Sequence, residues 1–146
     1  LVCPLPEQAQ FNQTKADSSI VLEYFPSLRS PYTAIGHRRL LQMVESTGVT
    51  LKLRPVMPMM MRGVPAPLVK QRYIMSDSGR EARYYNEPFG PFCDPFGEPV
   101  KWAFAAFHCA DQQGLGLTFV TEYLAASFAE GLNIREQAGL VRWKRM

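Results

Sequence analysis

The alternation of apolar and polar positions divides the chain into a short strand–helix–strand opening and a longer helical remainder. Residues 20–25 (Ile-Val-Leu-Glu-Tyr-Phe) are rich in β-branched and aromatic side chains and predict a buried strand. Downstream, Tyr32, Ile35, Arg39, Leu40, Met43, Val44 and Thr47 recur at helical spacing, and Gly48 stands where a C-terminal cap is expected. Residues 49–55 (Val-Thr-Leu-Lys-Leu-Arg-Pro) alternate again and predict a second strand, half buried or at an edge, with Pro55 ending its ladder. A strand, helix and strand so spaced form a βαβ unit with parallel strands and a right-handed crossover.

Beyond it the pattern is helical over residues 68–86, 100–113, 118–130 and 134–143. Thr118 and Asn133 read as N-caps, with Glu136 completing a capping box, and Gly114 and Gly131 as stops. Trp102, Ala103, Ala106, Phe107 and Ala110 form one apolar face. Residues 57–61 contain Met57, Met59, Met60 and Met61, a soft surface that suits a loop packed on the core and the lining of an apolar pocket equally well. Pro65 reads as a loop proline. Residues 86–97 form a Pro/Gly/Phe loop whose Phe89, Phe92 and Phe96 are expected to fold onto the core. Residues 1–19 show no periodicity and read as an arm or linker, residues 20–56 as the βαβ unit, and residues 57–146 as loop and helical insertion.

Composition narrows the function classes. The 146 residues are 47% hydrophobic and 20% charged, with a formal charge of +3, as in an ordinary globular domain. Lysine and arginine are scattered without a basic stripe, so nucleic acid is not an expected partner. The apolar runs are far too short for a membrane span and no export signal opens the chain, so neither a membrane nor secretion is expected and the cytoplasm is the default. Cys3, Cys93 and Cys109 have no redox or metal spacing and read as free, mostly buried thiols. His108 and Cys109 are adjacent, point about 100 degrees apart on a helix and cannot share an ion, so no metal is expected. His37, one turn into the first helix, reads as a solvated helix-face histidine.

The chemistry-bearing stretch is Ser30-Pro31-Tyr32-Thr33, where the first strand passes into its helix. Ser30 fits the N-cap and Pro31 the first helical position, where a missing N–H costs nothing. A group placed there meets unpaired backbone N–H donors and the positive end of the helix dipole. In an open α/β sheet this is also the carboxyl end of a strand, where ligands bind. Taken alone, Ser-Pro is a cap; Lys70 and Arg72 are solvated charges and Tyr73 a core residue.

The stretch from Leu22-Glu23-Tyr24-Phe25 through Ser30-Pro31-Tyr32-Thr33-Ala34-Ile35-Gly36 resembles the opening of the thioredoxin-like DsbA family. The likeness is to its branch of kappa-class glutathione transferases and 2-hydroxychromene-2-carboxylate isomerases. Lys70-Gln71-Arg72-Tyr73-Ile74-Met75-Ser76-Asp77 is similar to the same branch, whereas Arg62-Gly63-Val64-Pro65 lacks the Asn often found in its Gly-Asn-x-Pro-like loop. The resemblance implies a thioredoxin-like βαβ base with an all-helical insertion. It also implies glutathione bound at Ser30, Pro31 and Tyr32, with Ser30 stabilising its thiolate, and a small apolar or aromatic electrophile met by Lys70 and Tyr73. Ser30 and Thr33 stand where the family's oxidoreductases carry Cys-x-x-Cys, and a hydroxyl cannot exchange a disulfide. The family's cis-proline loop, C-terminal β-hairpin and final helix have no counterpart before Met146. The resemblance therefore implies a fragment, or a half completed as a homodimer or by a partner chain. Two alternatives stand beside the isomerase or transferase: a non-catalytic binding module and a DsbA-family oxidoreductase that has lost its cysteines.

Overall fold

The computed structural model describes residues 19–134. The order of elements is β1 (Val21–Tyr24), α1 (Pro31–Thr47), β2 (Thr50–Leu53), a short 3-10 turn (Met59–Arg62), α2 (Leu68–Tyr84), α3 (Glu98–Gln112) and α4 (Gly116–Phe128). This is a mixed architecture of four helices and a two-stranded parallel sheet among the described residues. The arm expected over residues 1–19, described at Ser19 alone, and the helix expected over 134–143, with its Glu136 cap, lie almost wholly outside the described residues.

β1 and β2 pair in parallel with Val21 opposite Thr50 and Tyr24 opposite Leu53. The main-chain bonds Thr50 N–H to Ile20 O, Arg54 N–H to Tyr24 O and Val56 N–H to Pro26 O carry the pairing past Pro55 instead of stopping there. That register turns Pro55, which has no N–H, toward the outer edge, where it removes a donor without cost to the ladder. β1 is not the buried strand its composition predicts. Both strands alternate exposed and half-buried positions, and Ile20, Val21 and Phe25 are each 54% exposed. One face of a two-stranded ribbon has no layer over it among the described residues, and apolar composition alone does not report that.

The first helix forms as its sequence predicts. Ser30 has extended dihedrals, its side chain accepts the Thr33 N–H, Pro31 opens the helix, and Gly48 closes it at φ +71° with its N–H on Val44 O. α4 starts earlier than expected. Gly114, at φ +73°, turns the chain so sharply that the helix begins at Gly116. Thr118 therefore falls inside the first turn, and Leu115 holds the cap position without a side-chain bond.

The core lies between α3 and α4. Ala103 and Phe107 of α3 meet Phe119, Val120, Tyr123, Leu124 and Phe128 of α4, with Leu28 and Ile134 completing the cluster. α1 packs against both α2 and α4. Trp102 is not on the core face as expected: it is 48% exposed, while Ala103 and Phe107 are buried. The α3 face that meets α4 is a stripe too narrow to include position 102. Truncation separates the two aromatics: Phe107→Ala should cost about 3–5 kcal/mol and Trp102→Ala less than about 1 kcal/mol, read from urea midpoints at constant slope. Equal losses would contradict this packing.

Candidate functional site

A cavity of about 580 Å³ opens at the carboxyl end of β1. Its walls come from the turn leading into α1, the 3-10 turn, the start of α2, the loop between α2 and α3, and the end of α4. All five residues singled out by sequence meet here: Ser30, Pro31 and Tyr32 on one wall, Lys70 and Tyr73 on another. Tyr73 is 57% exposed, so it is a rim residue and not a core residue.

Ser30 Oγ accepts the Thr33 N–H at 3.2 Å, and the Ser30 carbonyl accepts the Ala34 N–H at 3.1 Å. A hydroxyl has one proton and two lone pairs, so capping uses an acceptor site and leaves the proton to be donated. Tyr32 Oη donates to Asp77 Oδ2 at 2.6 Å, tying the first turn of α1 to α2. Desolvation and this hydrogen bond push the Tyr32 phenol up to about 12, so it is a donor throughout the physiological range. The Tyr32 bond, with Arg80 Nη2 at 2.7 Å from Oδ1, holds the Asp77 carboxyl below its usual range.

Arg29 closes another wall. Its Nε and Nη2 donate to the two Asp94 oxygens at 2.7 Å each, its Nη1 to Met60 Sδ at 3.2 Å, and its guanidinium lies 4.3 Å from the Phe96 ring centroid. With its charge spent on Asp94, Arg29 acts as a strut and not as a free anion receptor. Phe92 stacks on Phe128, and the two rings line the cavity together with Met59, Met60, Ile74 and Met75. The methionine loop thus supplies cavity lining. Of the three loop phenylalanines, Phe89 packs against the core, whereas Phe92 and Phe96 stay partly exposed, one in the cavity wall and one under Arg29. The loop is pinned to the end of α4 by Gly90 N–H on Phe128 O and Cys93 N–H on Ser127 O, which satisfy helix-terminal carbonyls.

Arg29, Asp77 and Asp94 escaped selection from the sequence. Asp77 carried a signal, since it lies four residues after Tyr73 on the same helix face. Asp94 carried none, because its partner is 65 positions away.

His37 is corrected outright: it is 4% exposed, neither solvated nor in the cavity. Its Nε2 lies 2.9 Å from Thr121 Oγ1, and its Nδ1 3.1 Å from Tyr24 Oη. Thr121 spends its proton on Leu117 O, so it accepts from Nε2–H, and Nδ1 accepts from Tyr24. The neutral ring is fully satisfied, and burial lowers its pKa from 6.5. His108 and Cys109 are exposed on α3 and Cys93 is half-buried, so neither described thiol is in the core as expected; no group of three or more His, Cys, Asp or Glu able to hold a metal stands among the described residues. No helix among them is long and apolar enough to cross a membrane.

Comparison with known proteins gave no matching family model, no matching curated protein and no matching solved structure.

The sign of the His37 effect follows from linkage. Below pH 6.5 the unfolded chain takes up a proton that the folded chain refuses, so stability is complete above that pH and falls as the pH drops through it. Urea unfolding at pH 7.5 and 5.5 should show a loss in the wild type that His37→Gln largely removes. A wild-type stability that rises on acidification, with the variant flat, would contradict the buried neutral ring.

Proposed function

We propose that the cavity binds glutathione and directs its thiol onto a small apolar or aromatic electrophile, as an isomerase or transferase of the branch that the Ser30 and Lys70 segments resemble. In this reading the βαβ unit is a thioredoxin-like base, the helices from residue 57 onward are its insertion, and a second copy or partner chain completes the sheet. One observation carries the proposal: Ser30 caps α1 with its lone pair and keeps its proton, in the wall of a cavity that Lys70 and Tyr73 also line.

The residues fit such a ligand. A volume of about 580 Å³ is within the range of small-molecule sites. Bound glutathione supplies a thiol that is nucleophilic once ionised. Ser30 Oγ–H donates to the sulfur, and the first turn of α1 favours negative charge there. Met59, Met60, Ile74, Met75, Phe92 and Phe128 hold an apolar acceptor and exclude water. Lys70 has no ion-pair partner among the described residues, and with the Tyr73 phenol it orients or polarises the acceptor. Disulfide exchange is not among the reactions, because neither Ser30 nor Thr33 has a sulfur. Free Cys93 and Cys109 accord with a reducing compartment such as the cytoplasm.

Calorimetric titration with glutathione tests the proposal. A charge-assisted hydrogen bond contributes about 1.5–3 kcal/mol, so Ser30→Ala should weaken binding by roughly 10- to 100-fold. Ser30→Asp retains the cap but opposes a thiolate and should bind no better than Ser30→Ala. A well-folded wild-type chain that does not bind glutathione would replace the enzyme by a binding module. Unchanged affinity in Ser30→Ala would remove Ser30 from the site.

A further inference from the structure

The lip formed by the end of the 3-10 turn and the start of α2 combines exposed apolar side chains with unpaired positive charge. Val64, Leu68 and Val69 are 46%, 60% and 80% exposed there. Arg62 and Arg72 are exposed in the same segment and have no ion-pair partner among the described residues. No residue from 57 to 76 is acidic. Pro67 provides no side-chain cap, so the first N–H groups of the 17-residue α2 add their positive dipole end to these two cations.

We propose that this lip docks on an anionic lipid bilayer, with Leu68 and Val69 entering the headgroup region and Arg62 and Arg72 holding lipid phosphates. The two kinds of residue together select that occupant. A soluble anion would satisfy the cations but leave the apolar side chains in water. A second copy related by a two-fold axis would set the cations against themselves. A peptide groove needs concave walls, whereas a side chain 80% exposed stands out from the surface. A bilayer interface accepts apolar tips and attracts each nearby Lys or Arg with about 1 kcal/mol. The absence of a spanning helix among the described residues concerns crossing a membrane, not attachment to its surface. Ala66, Lys70 and Tyr73 line the cavity from this same end of α2, so an apolar ligand dissolved in the bilayer would have a short path into it. The inference is independent of whether glutathione is the thiol ligand.

Sedimentation of the full chain with phosphatidylcholine vesicles, with and without phosphatidylserine, tests it. The chain should sediment only with phosphatidylserine present, and high salt should release it. Arg62→Gln with Arg72→Gln removes two exposed charges and should weaken partitioning about 30-fold. Leu68→Asn with Val69→Asn should also weaken it, leaving a salt-sensitive remainder. No sedimentation, or sedimentation that neither double variant changes, would overturn the proposal. So would binding to polyglutamate that depends on the arginines and is indifferent to Leu68 and Val69, which would make an acidic polypeptide the occupant.

Discussion

The cavity depends on one ion pair, Arg29 with Asp94. Arg29 belongs to the turn that delivers the chain into α1, and Asp94 to the loop between α2 and α3, 65 positions later. Both guanidinium–carboxylate bonds are 2.7 Å long, and a bidentate geometry fixes orientation as well as distance. The pair is only partly exposed, with side chains 19% and 40% accessible, so it is screened less than an open surface pair. Met60 and Phe96 attach to the same guanidinium, so the 3-10 turn and the loop between α2 and α3 converge on one side chain. Gly90 and Cys93 hold the same loop at the α4 end and Arg38 of α1 holds its start through Glu87, so the Arg29 tie is what fixes its far side against the cavity.

A second tie, Tyr32 to Asp77, sets the opposite wall, because it holds α2 against the first turn of α1. Ser30 therefore sits between two anchored elements. Its cap bond to Thr33 contributes about 1 kcal/mol to the helix, and its proton is left for a ligand. Behind the cavity, the His37 bonds to Tyr24 and Thr121 join β1, α1 and α4 through a neutral ring. Rigid support behind a site allows one hydroxyl to be presented in a defined direction.

Much of this was legible in the sequence because it is local. The Ser30 cap, the Pro31 start and the Gly48 stop are decided within a few residues, and the alternation over residues 49–55 is visible in a short window. The parallel pairing followed from the connection between the strands. What was not legible is non-local. The exposure of β1, the burial of His37 and the outward position of Trp102 depend on which faces receive a neighbour, and composition does not encode that. Asp94 has no local signal at all, since its role exists only once the loop lies beside Arg29. The early start of α4 is intermediate: the left-handed turn at Gly114 was readable, but Thr118 offered a competing cap.

The central claim is that Ser30 and the α1 terminus stabilise a thiolate, and the most direct measurement is the pKa of the glutathione thiol bound to the chain, followed by thiolate ultraviolet absorption. An ordinary thiol titrates near pH 8.5. The midpoint should lie at least one unit lower when the thiol is bound, and return toward the ordinary value in Ser30→Ala. A bound thiol that titrates as it does in water would contradict the claim, because the site would then hold glutathione without activating it.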